Sequence, residues 1–239
     1  MTYYRYWGKA HAKEQGVECH LLPYHNLDVA AVGWLLLSPD RPLTQRLAAQ
    51  LSVEPKALRN LLVFWLGLHD IGKFSRAFQG LFQPSSNVAL VPPAAQYAYT
   101  ERHDRLGDVV WEAKWLDWLE DGTLQWPASL NIAEFKALNA ALPVLAAPFF
   151  GHHGQPVDAG KIDVEMFFCC DEHADDIEAT RQFIADWASV VPPGWPIEQL
   201  FSEQWVYALQ TLSWSIAGWA TLSDWLGSNQ DHFPYRQNR

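Results

Sequence analysis

Histidine and aspartate residues next to apolar segments are the part of this sequence best suited to chemistry. His69 and Asp70 directly follow the apolar run 61–68, and Gly72 and Lys73 come next. Burying a charge without a partner is costly, so an imidazole and a carboxylate at the end of a buried helix need one. A divalent metal ion is one such partner, because imidazole nitrogen and carboxylate oxygen together suit transition metals. A two-residue match is common by chance, so the hypothesis depends on further residues.

Four further residues of these types stand in or beside apolar or glycine-rich segments: His25, His152, His153 and Asp224. His25 comes just before an apolar stretch that begins at Leu27, and the adjacent histidines are bracketed by Gly151 and Gly154. Asp224 interrupts an almost continuous apolar stretch. Arg181 is the only lysine or arginine between positions 161 and 236, so the local sequence offers this carboxylate no cation. A buried aspartate without a cation again favours a metal ion as its partner.

Helical spacing of apolar residues dominates the chain and predicts a single all-α domain. The predicted helices cover residues 27–37, 43–68 with a break at Pro55, 103–119, 132–147, 175–190 and 197–226. Residues 83–99 are predicted to be a loop, the prolines at 192–196 mark a break, and no alternating strand pattern persists. After Trp205 the last helix is nearly apolar all round, which predicts a buried central helix. The tryptophans in apolar helical runs are predicted to lie in the core: Trp34, Trp65, Trp115, Trp205, Trp214, Trp219 and Trp225.

The order of these groups along the chain resembles the HD metal-dependent phosphohydrolase superfamily. The resemblance is closer to the HD nuclease domain of the type I CRISPR-associated nuclease-helicase. The matching segments are YWGK at 6–9, HLLPYH at 20–25, DVAAV at 28–32, LHDIGKF at 68–74, GHHG at 151–154 and SDWLGS at 223–228. Because these segments extend over residues 6–228, the resemblance covers nearly the whole chain and implies a helical HD domain with a dinuclear metal site in its core.

The resemblance also implies a role for each site residue. One metal ion would be bound by four side chains: His25, His69, Asp70 and Asp224. A second ion would share Asp70 as a bridge and bind three histidines: His103, His152 and His153. Lys73 would contact the scissile phosphate, which makes Asp70 and Lys73 the implied catalytic residues. Two divalent ions about 4 Å apart can hold a hydroxide and clamp a phosphodiester. The ions implied are manganese, nickel, cobalt or iron rather than magnesium.

Composition sets limits on the partners and the compartment. The formal net charge is −10, from 17 Lys+Arg and 27 Asp+Glu, which excludes a strongly basic nucleic-acid binder as a description of the whole chain. Residues 1–110 carry a net charge of +2 and the remainder −12. Because the chain has no large excess of lysine and arginine, the metal ions rather than lysines would supply the positive charge that attracts a phosphate. Three cysteines, two of them adjacent, favour the reducing cytoplasm. The proline-interrupted apolar stretch 137–150 is predicted to be too short and too broken to span a membrane.

The function implied by the resemblance is an endo- or exonuclease that hydrolyses single-stranded DNA with a metal-activated hydroxide in CRISPR interference, an antiviral defence. Two alternatives stay open: an HD phosphohydrolase acting on nucleotides or cyclic nucleotides, and a non-catalytic module that docks to a partner complex. Residues 1–239 are predicted to form one HD nuclease domain without a helicase domain, since no Gly-x-x-x-x-Gly-Lys-[Ser/Thr] phosphate loop is present. A helicase domain or subunit would deliver the strand, together with a CRISPR RNA-guided surveillance complex. The chain is either a standalone subunit or the N-terminal part of a longer nuclease-helicase.

Overall fold

Helices make up most of the fold in the computed structural model, which describes residues 2–127, 129–157 and 162–238. In chain order the α-helices are α1 (Leu22–Leu36), α2 (Pro42–Leu51), α3 (Pro55–Leu66), α4 (Arg76–Gln79), α5 (His103–Glu120), α6 (Ile132–Phe150), α7 (Asp176–Val190), α8 (Ile197–Leu200) and α9 (Glu203–Gly227). Short 3₁₀ helices cover Thr2–Arg5, Ile71–Phe74 and Val164–Met166. The all-α prediction is confirmed.

The core forms where α9 packs against α1 and α6, while α3 packs against α1 and α2. Prolines in the first turn begin three of these helices, α1, α2 and α3, because the missing N–H group has no helical partner there in any case. Pro55 therefore restarts the helical stretch 43–68, as the sequence predicts. The carboxylate of Glu54 caps α3 by accepting a hydrogen bond from the backbone N–H of Ala57.

A short antiparallel hairpin lies at the N-terminus, where the sequence pattern predicts no strands. It consists of β1 (Trp7–Ala10) and β2 (Cys19–Leu21), with Lys9 opposite His20. Strands of four and three residues are too short to show a persistent alternating pattern. β2 runs directly into α1, so this helix begins at Leu22 and not at Leu27. His25 consequently lies in the first turn of α1 instead of in front of the helix.

The prediction that α9 is buried all round was wrong for one face of the helix. Trp205 and Trp219 are buried, whereas Trp214 and Trp225 are 73% and 71% exposed and so do not belong to the core. Trp65 and Trp115 are buried as predicted, and Trp34 is partly buried against the core. α9 packs against α1, α2, α6 and α8, and these contacts leave one side of it open. An apolar composition alone does not reveal which side of a helix has neighbours.

Helix α6 differs from the broken segment that the sequence predicts. Pro143 and Pro148 lie inside a continuous helix of 19 residues, and in the described part of the chain α6 is the one helix long and apolar enough to cross a membrane. Leu138, Leu145 and Phe149 are buried in the core, where α6 packs against α5 and α9. The core helix of a globular domain passes the same test, so α6 is weak evidence for a membrane segment.

A buried arginine joins α4 to the segment that precedes α7. The guanidinium of Arg76, which is 0% exposed, lies 2.9 Å from Asp171 Oδ2 and 3.3 Å from Asp176 Oδ1. Asp176 also accepts hydrogen bonds from the hydroxyl of Tyr6 at 2.7 Å and from the backbone N–H of Cys169 at 2.8 Å. This network connects the N-terminal segment, α4 and the start of α7.

Removing the arginine of this network should destabilise the fold strongly. Arg76→Met is expected to lower the free energy of unfolding by roughly 3–5 kcal/mol, because it leaves the buried carboxylate of Asp176 without its cation. The matched control is Arg181→Met, which removes a partly exposed arginine 2.7 Å from Glu178 and should cost about 1 kcal/mol or less. Urea unfolding of both variants measures the difference; equal losses would contradict a structural role for the buried network.

Candidate metal centre

The turn after α3 places His69 and Asp70. The helix ends at Leu66, earlier than residue 68, so both residues lie in a non-helical turn that leads into the 3₁₀ helix Ile71–Phe74. Both side chains are buried. The Nδ1 atom of His69 lies 2.8 Å from the carbonyl oxygen of Leu66. A proton on Nδ1 leaves the Nε2 lone pair free to bind a metal ion, a common arrangement for histidine ligands.

The first group of candidate ligands consists of His25, His69 and Asp70, whose ligand atoms all lie within 4.8 Å of one another. Asp70 Oδ2 is 3.0 Å from Nε2 of His25 and 3.4 Å from Nε2 of His69. Asp224, one turn before the end of α9, brings Oδ1 to 3.5 Å and 3.7 Å from the same two nitrogen atoms. The four side chains predicted for the first metal ion are therefore together.

The second group consists of His103, His152 and His153, which also lie within 4.8 Å of one another through their ligand atoms. The Nε2 atoms of His103 and His153 face each other at 3.0 Å. Asp70 Oδ1 lies 3.4 Å from Nε2 of His103 and 3.7 Å from Nε2 of His152. Asp70 thus directs one carboxylate oxygen at each group, which is the position that a bridging ligand requires.

Two adjacent histidines contribute to one group because α6 ends in a turn. Gly154 has φ of +82°, a conformation that favours glycine. A Cβ atom at Gly151 would lie 2.9 Å from the carbonyl oxygen of Ala147. The hydroxyl of Thr221 on α9 donates to the carbonyl oxygen of His152 at 2.8 Å, and His152 Nδ1 lies 2.8 Å from the carbonyl oxygen of Phe149. The glycine-bracketed turn is therefore held against the helix that carries Asp224.

The pKa values of the candidate ligands are shifted in different directions. Burial alone would lower the pKa of His69, but Asp70 and Asp224 raise it to about 9. Burial lowers the pKa of His152 to about 3, so this ring is neutral at pH 7 with a lone pair available. Although burial opposes it, Lys73 and His69 hold the pKa of Asp70 well below its usual range, and His69 and Lys9 do the same for Asp224. Both carboxylates are therefore ionised.

The donor atoms of the first group fit a metal ion. Several buried atoms of this group make no hydrogen bond: His25 Nδ1, His69 Nε2 and Asp70 Oδ1. Unpaired buried polar atoms carry a desolvation penalty that a coordinated cation would offset. Imidazole nitrogens outnumber carboxylates in the site, which suits transition metals better than magnesium. The residues present therefore fit divalent transition-metal ions.

Two lysines also reach the site, and only Lys73 has a role predicted from the sequence. Lys73 is buried, with its ammonium 2.6 Å from Asp70 Oδ2. Lys9, on β1, lies 3.7 Å from Asp224 Oδ1 and supplies the cation that the local sequence around Asp224 lacks. Its segment YWGK was part of the resemblance, but the contact joins residues 215 positions apart and depends on the missed hairpin.

A family model described as the HD domain of Cas3 matches residues 7–233, which is nearly the whole chain. The chain belongs to the Cas3 HD-domain family. Its HD motif is the pair His69 and Asp70, and the match extends across every candidate ligand described above. The resemblance inferred from the motifs is confirmed.

Known relatives share this fold but are mostly much longer. The CRISPR-associated endonuclease/helicase Cas3 of Escherichia coli strain K12 is 27% identical over 244 residues, covering 93% of this chain and 25% of the relative. T. fusca Cas3 with ATP matches at a TM-score of 0.62 with 22% identity, over 95% of this chain and 23% of the other. The Thermus thermophilus Cas3 HD domain solved in the presence of Ni²⁺ matches at a TM-score of 0.55 with 22% identity, over 100% of this chain and 82% of the other. The chain thus spans about a quarter of the length of its curated relative.

Proposed function

We propose that this Cas3 HD domain is a metal-dependent nuclease that hydrolyses phosphodiester bonds of single-stranded DNA in CRISPR interference. The observation that carries the proposal is the position of Asp70, whose two carboxylate oxygens face two separate groups of candidate ligands. Membership of the Cas3 HD-domain family supports it, as does the name of the E. coli relative, an endonuclease/helicase.

The proposed ligand sets follow the two groups. His25, His69, Asp70 and Asp224 would hold one divalent ion, and Asp70, His103, His152 and His153 a second. Manganese, nickel, cobalt or iron is proposed in preference to magnesium, because the donors are mainly imidazoles. When bound, such ions lower the pKa of water and neutralise charge on a transferring phosphoryl group.

Asp70 and Lys73 would position the two ligand groups and set the charge around them. Asp70 would fix the spacing of the two ligand groups, because each of its oxygens already points at one of them. Lys73, the second residue predicted to act in catalysis, adds a positive charge 2.6 Å from Asp70 Oδ2. An ammonium at this position would keep Asp70 ionised and would add to the positive potential that attracts an anionic phosphate. A direct contact of Lys73 with the scissile phosphate stays a prediction.

We further propose that residues 1–239 act as one nuclease domain in the cytoplasm, beside a helicase domain or subunit that delivers the strand. The helicase in the printed name of the E. coli relative supports this partner. A chain from a structure titled as a CRISPR RNA-guided surveillance complex before nicking has the same fold, at a TM-score of 0.61 with 21% identity, over 95% of this chain and 25% of the other. That likeness motivates a surveillance complex as the second proposed partner.

Removing metal ions should abolish the proposed activity. EDTA treatment followed by dialysis is expected to stop digestion of circular single-stranded DNA, and Mn²⁺, Ni²⁺ or Co²⁺ should restore it better than Mg²⁺, because histidine nitrogens bind those ions more strongly. Digestion can be followed on gels and the metal content by mass spectrometry. Turnover of nucleotides or cyclic nucleotides with intact DNA would overturn the nuclease proposal in favour of a small-molecule phosphohydrolase. Absence of both activities and of bound metal would favour a docking module.

A further inference from the structure

Lys9 lies at the edge of the candidate metal centre on a firmly held strand. Its strand β1 pairs with β2, and Lys9 is opposite His20. The preceding residue, Gly8, packs closely on α1, since a Cβ atom there would lie 3.0 Å from Cα of Leu22. Gly8 also accepts a hydrogen bond at 3.2 Å from the buried ammonium of Lys73 through its carbonyl oxygen. The backbone that carries Lys9 is therefore fixed relative to α1 and to Asp70.

The two lysines of the site differ in accessibility and in how strongly they are held. The side chain of Lys73 is 4% exposed and that of Lys9 is 26% exposed. Lys73 makes a close ion pair with Asp70 at 2.6 Å and a hydrogen bond to Gly8, so reaching a substrate would require it to leave both partners. Lys9 stands 3.7 Å from Asp224 Oδ1, beyond hydrogen-bond distance. Among the residues that the structure describes, its ammonium has no hydrogen-bond acceptor.

Lys9 is one of several groups close to the carboxylate of Asp224. Its Oδ1 atom accepts a hydrogen bond at 3.0 Å from the hydroxyl of Ser228, the residue directly after α9, and lies 3.5 Å from Nε2 of His25. The same carboxylate is a candidate ligand of the first metal ion. An ammonium beside a metal-ligating carboxylate, with open hydrogen-bond donors and partial exposure, is suited to a phosphate oxygen of a bound strand.

We propose that Lys9 binds a phosphate group of the DNA strand beside the metal centre. This inference deepens the proposed nuclease function and rests on it. It assigns to the N-terminal hairpin a direct part in substrate binding. The chemical class recognised is a phosphodiester, and the contact is independent of the base sequence.

The test compares Lys9→Met, which removes the charge while keeping most of the side-chain length, with Lys9→Arg, which keeps the charge. Lys13→Met is the matched control, because Lys13 is an exposed lysine that pairs with Asp231 at 3.0 Å. Lys9→Met should lower kcat/KM for single-stranded DNA by about ten- to a hundredfold, the range for a hydrogen bond to a charged group. Lys9→Arg should retain most of the activity, and Lys13→Met should match the wild type.

Equilibrium binding separates a phosphate contact from a structural role. The probe is a fluorescent oligothymidylate, measured by anisotropy in EDTA across a salt series so that the strand stays intact. Losing one phosphate contact should make the slope of log affinity against log salt shallower by about 0.7 in Lys9→Met, with no change in Lys13→Met. Metal content and melting temperature of Lys9→Met should equal those of the wild type.

Three results would overturn the assignment of Lys9. One is an unchanged salt slope and kcat/KM in Lys9→Met, a second is a loss of metal content that accounts for the lost activity, and a third is no detectable wild-type binding of the probe. All three leave the nuclease proposal standing if the wild type cleaves DNA. A wild-type protein loaded with Mn²⁺ or Ni²⁺ that leaves single-stranded DNA intact would instead overturn the proposed function, and the role of Lys9 with it.

Discussion

Replacing Asp70 by asparagine is expected to reduce metal-dependent DNA cleavage by about a thousandfold or more, a larger loss than is typical of removing one hydrogen-bond donor to a transition state. Asp70 is unique among the candidate ligands described here in facing both groups, with Oδ2 toward His25 and His69 and Oδ1 toward His103 and His152. Asn has the same size but no charge. It would therefore weaken both metal positions at once, and metal content should fall together with activity.

The control for this variant is Asp28→Asn, a change of the same kind in another His–Asp pair of the domain. Asp28 Oδ2 lies 2.9 Å from Nε2 of His20, and neither residue belongs to the two ligand groups. This control should keep wild-type activity and metal content. Cleavage by Asp70→Asn at the wild-type rate would refute the assignment of Asp70. Circular dichroism and the melting temperature show whether each variant is folded.

The sequence identifies the residues of the site better than it identifies their surroundings. Every side chain predicted as a metal ligand lies in one of the two groups or, in the case of Asp224, within 3.7 Å of the first group. This was possible because all of them except His103 are histidines or aspartates in short, ordered motifs that are visible without the fold. The role of His103 was implied only by the family resemblance. Whether each of them binds a metal ion stays a prediction.

Features that depend on distant parts of the chain were not predictable in the same way. The contact of Lys9 with Asp224 requires a hairpin whose strands are too short to leave a pattern, so the sequence offered Asp224 no cation. The exposure of Trp214 and Trp225 depends on which faces of α9 find neighbours. A run of apolar residues predicts that a helix is packed, but it does not show on how many sides.

Gly72, in the LHDIGKF segment, lies in close contact with the backbone of a helix that is distant in sequence. The 3₁₀ helix Ile71–Phe74 packs against the start of α5, and a Cβ atom at Gly72 would lie 1.9 Å from the carbonyl oxygen of His103 and 2.4 Å from the backbone N of Gly107. Both contacts are with backbone atoms, which no change of rotamer can move. α5 begins at His103, so this close approach also positions one ligand of the second group.

Gly72→Ala is therefore expected to destabilise the fold by roughly 3 kcal/mol or more, at the upper end of the range for overpacked cores. The added methyl group must push α5 away, which should lengthen the distance from His103 to Asp70. Metal binding by the second group should weaken more than binding by the first, because His25 and Asp224 lie on α1 and α9. Urea unfolding measures the stability, and metal titration measures the two affinities.

Gly80→Ala is the matched control for this prediction. Gly80 is the residue after α4, with φ of −67°, and a Cβ atom there would lie 3.5 Å from the nearest atom outside its chain neighbours, the carbonyl oxygen of Ala77. That distance is an ordinary van der Waals contact, so this variant should change stability by about 0.5 kcal/mol or less. Equal stability of the two alanine variants would show that α5 can shift without cost. A Gly72→Ala protein that is destabilised yet keeps both metal affinities would show that the close approach serves stability alone, because His103 would then have kept its place beside Asp70.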